Sequence, residues 1–308
     1  MLRKLKLLLG ALTVSAFATA CGGGTTEHDI VDTAKSNTDL SILVEAVEAA
    51  GLANTLKGPG PLTVFAPTNT AFAALLTELG ITKAQLLADK NLLTTVLTYH
   101  VVAGNVPKAS VALGKAVTSV QGSIFKVDAV GSALKITDGR NRTATITATD
   151  IKASNGVVHV IDKVILPANK NIVETAQSLP DFSILVEAVV AANLQGTLSG
   201  TGPFTVFAPT NTAFAALLTE LGISKEALLA DTALLTKVLT YHVVSGRVLK
   251  ADVPVGTPVA TVQGDTLTVN ASLAIVDQRA RTANIVSTDV LTSNGVIHVL
   301  DKVILPKP

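Results

Sequence analysis

At 308 residues, with 48% of them hydrophobic and 15% charged, the chain is long enough for two cores and too apolar to stay disordered. Net charge is +1 at neutral pH, and Arg3, Lys4 and Lys6 are the only charges ahead of position 21, which leaves 21 basic residues facing 23 acidic ones. That balance excludes a nucleic-acid binder held by a basic face.

The first twenty residues carry an export pattern. Met1 to Lys6 is short and basic, Leu7 to Phe17 is apolar but too short to span a bilayer, and Ala18-Thr19-Ala20 offers the small residues of a cleavage site. Residues 1–20 therefore read as a signal peptide. Cys21 is the only cysteine, so no disulfide can form within the chain. Ala18-Thr19-Ala20-Cys21 resembles a bacterial lipobox, with Ala18 where that pattern prefers Leu. The resemblance implies a diacylated Cys21 as the mature N-terminus, hence a lipoprotein at the cell surface or periplasmic face. Glycines 22 to 24 make residues 21–26 a short flexible tether.

Beyond the tether the pattern turns helical. Leu40, Leu43, Val47 and Ala50 share one helix face behind Asp39 as N-cap, and Gly51 ends the run. Thr63 to Ala66 reads as a short buried strand stopped by Pro67. Thr68 or Asn69 then caps a helix bearing Phe72, Leu75, Leu76 and Leu79 and closed by Gly80. Leu92 to Tyr99 is a further apolar helix. From Ile124 the period shortens: Ile124–Val130, Ala133–Thr137, Thr143–Ala148 and Val157–Val164 are β-rich runs between Gly, Asp and Asn turns. Helices followed by strands predict an α+β fold.

The whole pattern occurs twice. Thr63 to Ile81, TVFAPTNTAFAALLTELGI, recurs without change from Thr205 to Ile223, an offset of 142 residues. After Gly122 and Gly264 the offset drops to 139, which pairs Asn155-Gly156-Val157 with Asn294-Gly295-Val296. The missing residues fall between Gly122 and Thr143, where the turn-rich run Thr137 to Arg142 is the expected hairpin end. Two domains follow, 27–167 and 168–308.

TVFAPTNTAF, the pair Tyr99-His100 and NGVVHVIDKVILP from Asn155, each with its second copy at Thr205, Tyr241-His242 and Asn294, resemble the homology blocks of the fasciclin (FAS1) domain. The resemblance covers nearly all of Glu27 to Pro306. It implies two tandem domains, each a wedge-shaped β-sandwich with helices packed at one side, and an extracellular adhesion or interaction role. The Tyr-His motif is connected by the resemblance with receptor binding in animal proteins, but those receptors are not expected on bacterial partners. Tyr99 and Tyr241 are expected to pack inward, with His100 and His242 near the domain edge.

The residues give no catalytic, cofactor or metal site. Four of the five histidines are repeat pairs, His100 with His242 and His159 with His298, and none has a second ligand at metal spacing. No G-x-S-x-G is present, and Gly58-Pro59-Gly60-Pro61 lacks the donors of a phosphate loop. The recurring carboxylates Asp150 and Asp162, with Asp289 and Asp301, read as turn residues, Asp162 with Lys163 as its ion-pair neighbour. Asn141-Arg142-Thr143 fits a glycosylation sequon of little weight in a bacterial lipoprotein. The expected function is binding to an extracellular or envelope protein or matrix glycan, with the membrane reached through the lipid. The alternative is a carrier for a small hydrophobic ligand such as a lipid or carotenoid-like molecule, for which the aromatic lining is sparse.

Overall fold

In the computed structural model, which describes residues 28–308, each copy of the repeat folds through the same sequence of elements. The export signal, Cys21 and the tether lie outside the described residues. The first copy runs α1 (Ile30–Lys35), α2 (Ser41–Ala49), α3 (Ala53–Lys57), β1 (Leu62–Pro67), α4 (Asn69–Leu79), α5 (Lys83–Ala88), α6 (Lys90–Tyr99), β2 (Val101–Ala103), β3 (Ala116–Thr118), β4 (Ile124–Val130), β5 (Ala133–Thr137), β6 (Thr143–Ala153) and β7 (Gly156–Ile161). The second repeats this as α7 (Ile172–Gln177), α8 (Ser183–Ala191), α9 (Gln195–Leu198), β8 (Phe204–Pro209), α10 (Asn211–Leu221), α11 (Lys225–Ala230), α12 (Thr232–Tyr241), β9 (Val243–Ser245), β10 (Pro258–Ala260), β11 (Thr266–Val269), β12 (Ala274–Val276), β13 (Thr282–Thr292) and β14 (Gly295–Leu300). Among the described residues no strand crosses between the copies: each has its own seven-stranded sheet, ordered β2-β1-β7-β6-β5-β4-β3 in the first.

The repeated motifs are fold devices. Thr68 caps α4 by accepting from Ala71 N–H at 3.2 Å. Its neighbour Asn69 reaches back to α2, accepting from Ile42 N–H at 2.9 Å and donating to the Thr38 carbonyl at 3.0 Å. Asp39 is therefore not the cap of that helix; its own N–H is held by Asn37. Asn211 makes the same bonds to Ile184 and Pro180. The second motif works in the same way. Asn155 Oδ1 accepts from Ile30 N–H at 2.9 Å, while its amide donates to the carbonyls of Leu56 and Gly58. A Cβ on Gly156 would overlap the Leu62 backbone, so only glycine lets β7 lie parallel to β1 here.

Those two parallel strands are buried on both faces, which is why they read as continuous apolar runs. Val64, Ala66, Val158 and Val160 face the helices and pack with Leu43, Phe72 and Leu97. Phe65 and Ile161 face the other way, onto Tyr99, Phe125, Val127 and Ile136. The long strand β6 supplies the bend: its pairing with β7 shifts register between Ile146 and Ala148 and again before Ile151, and Asp150 there has φ 60°. The sheet thus folds over the second core as a wedge-shaped sandwich, with the helices on its outer side.

Three expectations differ from the structure. β6 continues to Ala153, and β7 ends at Ile161, leaving Val164 to Leu166 as a buried extended tail. The short elements α1, α3, α5, β2 and β3 were not expected. The length difference between copies sits at the β4–β5 hairpin, not at Thr137 to Arg142. Ile136 pairs with Val127 and Ile275 with Val269, so β11 and β12 lack the tip at Val130-Gly131-Ser132.

The domains meet through contacts that are not repeated. Ile124 packs with Leu249, Leu291 and Val296 of the second domain. Asn141 treats Leu291 as a strand partner, accepting from its N–H at 2.7 Å and donating to its carbonyl at 3.0 Å. Lys126 reaches Asp289 at 2.9 Å, and Lys115 lies 3.5 Å from Asp252.

Candidate functional site

Tyr99 closes α6 with its ring between the arms of the sheet, edge-on to Phe125 at 5.7 Å. The hydroxyl donates to the Ile124 carbonyl at 2.7 Å and accepts from Gly139 N–H at 2.9 Å. Burial, reinforced by the charge of Asp138, pushes its pKa up. Tyr241 is equivalent: its hydroxyl donates to the Thr266 carbonyl at 2.9 Å, and burial pushes it up to about 12.

The histidines that follow are not at the domain edge. His100 is 1% exposed and His242 2%. His100 Nδ1–H donates to the Val96 carbonyl at 2.7 Å, and Nε2 accepts from Ile165 N–H at 3.1 Å. An acceptor on one nitrogen and a donor on the other specify the neutral ring protonated at Nδ1. His242 does the same with Val238 and Ile304. Burial lowers both to about 4. Each imidazole thus ties the end of a helix to the extended tail that closes its domain.

The second pair is spent as fully. His159 Nδ1 accepts from Asp150 N–H at 3.3 Å and Nε2–H donates to the Val106 carbonyl at 2.9 Å, beside Phe65. His298 repeats this with Asp289 and Val248, and burial lowers its pKa. Among the described residues no three His, Cys, Asp or Glu side chains come together as a metal site.

The paired carboxylates hold backbone. Asp162 accepts from Thr145 N–H, and Asp301 from Asn284 N–H at 2.7 Å. No ion pair joins Asp162 to Lys163 among the described residues. Asp138, unremarked in the sequence, is the buried hub: it accepts from the backbone of Arg140, Arg142 and Leu166 and from the Arg142 guanidinium. Its only sequence signal was recurrence as Asp277, which gathers Arg279, Arg281 and Leu305.

Each domain also has one apolar void between its helices and the parallel strands, lined in the first by Val31, Val47, Leu97 and His100 and in the second by Val173, Val189, Leu239 and His242. Each is about 30 Å³, room for about two waters and far below a pocket of roughly 300 Å³ that takes a small organic ligand. To enter either void, a lipid or carotenoid-like molecule would have to part the helices from the sheet.

The repeated blocks, their internal bonding and the duplicated seven-stranded sheet coincide with a known family: the fasciclin domain model matches residues 38–167 and again 180–306. The chain belongs to the fasciclin domain family. Its fasciclin domains are 32% identical over 253 residues to transforming growth factor-beta-induced protein ig-h3 of Sus scrofa, covering 82% of this chain and 35% of that protein. Protein sll1483 of Synechocystis is 46% identical over 148 residues, 48% of this chain and 79% of that one. A solved FAS1 domain pair from the insect cell adhesion molecule Fasciclin I aligns over 88% of this chain and 98% of its own, at 19% identity and a TM-score of 0.43. The chain spans about a third of the length of ig-h3.

Proposed function

We propose that this chain is an exported lipoprotein whose two fasciclin domains form an adhesion or protein-interaction module at the cell envelope, held to the membrane through Cys21. The observation that supports this most is the internal use of the suggestive side chains. Tyr99, Tyr241 and all four paired histidines are buried and bonded within their own domains, so the Tyr-His motif acts through the fold. What remains for function is the surface of a fixed two-domain body. No helix among the described residues is long and apolar enough to cross a membrane, and two acyl chains on Cys21 supply stable attachment where one would not.

Beads coated with residues 22–308 test the adhesive part: they should be retained on the host's envelope or matrix above beads coated with an unrelated lipoprotein. Equal retention overturns it. Cys21→Ser should leave the protein unprocessed or release it from the membrane, and normal processing with full membrane retention refutes the anchor. Carriage of a hydrophobic ligand is the competing reading, for which a lipid or chromophore in an organic extract of native protein would decide.

A further inference from the structure

Where the two domains meet, the linker and the walls beside it leave a cleft of about 540 Å³, formed by the β5–β6 turn of the first domain, the linker, α7 and β13. That volume lies inside the range of small-molecule sites, roughly 300–1,000 Å³. Neither domain alone makes it.

Its chemistry is one-sided. Arg140 and Lys170 line it and no carboxylate does, in a chain whose charges otherwise balance. Neither cation makes an ion pair among the described residues. The Arg140 Nε–H is shielded from water and donates to nothing. This is a departure from the repeat: the equivalent Arg279 in the second domain donates its Nε–H to the Pro306 carbonyl at 3.1 Å. The Arg140 Nε is closed to a ligand as well as to water, but the Arg140 side chain is only half-buried and lines the cleft, and a carboxylate fits the planar fork of its terminal nitrogens. Around the cations stand Asn169, Thr175 and Ser178, which offer an amide, a hydroxyl and, because the Ser178 O–H donates to the Thr175 carbonyl at 2.8 Å, one hydroxyl acceptor, and Leu179 and Val290 provide an apolar ledge. Hydroxyl-matching groups beside an apolar ledge suit the two faces of a sugar ring.

We propose that this interdomain cleft binds an acidic saccharide, with a uronate carboxylate on Arg140 and Lys170 and ring hydroxyls on Asn169, Thr175 and Ser178. The proposal rests on the adhesion reading for its purpose and names the chemistry of one partner.

Calorimetric titration of residues 22–308 with oligogalacturonate tests it, beside the methyl-esterified oligomer, acetate and a polyglutamate peptide. Expected is binding of the acid oligomer at least tenfold tighter than of the ester or acetate, falling tenfold or more in Arg140→Gln with an unchanged melting temperature. Lys170→Gln should weaken binding to a smaller extent and reduce its salt dependence. Absence of oligogalacturonate binding overturns the proposal, as does equal binding by Arg140→Gln, equal affinity for acetate, or tighter binding of polyglutamate. The bead assay separates this from the adhesion reading: retention undiminished in Arg140→Gln leaves adhesion standing and removes the cleft from it. Saccharide binding without bead retention preserves the site and refutes adhesion.

Discussion

Lowering the pH from 7 to 5 should cost each domain about 2 kcal/mol of stability, well before most carboxylates are protonated. His100 and His242 both titrate near 4 in the folded protein because burial disfavours the imidazolium, against an ordinary value of 6.5. In the unfolded chain at pH 5 these rings are protonated, while in the native domain they stay neutral. Because the folded value is the depressed one, the stability is complete above about pH 6.5 and is lost as pH falls toward 4, reaching about 3 kcal/mol per ring below that. The geometry gives the same sign. A proton on Nε2 of His100 would face the Ile165 N–H, turning an acceptor into a second donor 3.1 Å away. His298, also lowered by burial, acts in the same direction in the second domain. Urea unfolding at pH 7, 6 and 5 measures the loss, and an NMR titration of the imidazoles in the folded protein gives their pKa directly. Stability that stays level from pH 7 to 5, or rings that titrate near 6.5 while the protein is folded, would refute the buried neutral tautomer.

Tyr99→Phe strands the Gly139 N–H and the Ile124 carbonyl, so it should cost about 1–3 kcal/mol, and Tyr99→Ala about 3–5 kcal/mol of a domain stability of roughly 5–15, both read from urea midpoints. His100→Ala should cost about as much as Tyr99→Phe, since it leaves the buried Ile165 N–H unpaired; a negligible change would show that water replaces the ring without penalty. Fragments 28–167 and 170–308 should each unfold cooperatively and associate when mixed, and Lys126→Met should abolish that association by leaving Asp289 buried without its cation, a loss of about 3–5 kcal/mol. Light scattering on the mixture checks it, with unaltered association as the refuting result.

The domain fold was legible because the sequence states it twice. Runs such as Thr63 to Ala66 announce strands buried on both faces, and Gly80 in its left-handed conformation, φ 65°, ends α4 where expected. Errors arose where a partner lies far along the chain. Asp39 had the right residue type and spacing for a cap, yet α2 is capped by Asn69, 27 residues beyond Ile42. His100 follows an apolar helix, which says nothing about the tail at Ile165 that closes over it. Three-residue strands such as β2 and β3 are too short to show a period. The β4–β5 indel was misplaced because Asp138-Gly139-Arg140-Asn141 has the composition of a variable turn, whereas Asp138 in fact fixes that turn as part of the core.

The interface was invisible for a different reason: comparing copies finds what they share, and the interface is made of what they do not. A head-to-tail contact between like units propagates into a filament unless something stops it. Here the first domain offers Ile124, Lys126 and Asn141, and the second receives them with Leu249, Asp289 and Leu291. On the free ends the corresponding residues are Thr266, Thr268 and Ala280 on one side and Pro107, Asp150 and Lys152 on the other. Asp150 keeps the carboxylate, but Thr268 brings no cation to it. Ala280 has the same left-handed backbone as Asn141, φ 58° against 61°, and no amide with which to pair a neighbouring strand. Lys152 in place of Leu291 removes the apolar contact and puts a charge on that free face. All three kinds of contact, ionic, hydrogen-bonded and apolar, are therefore lost in the combination that would join one molecule to the next. Divergence of the copies thus fastens this pair and disfavours the same contact between one molecule and the next.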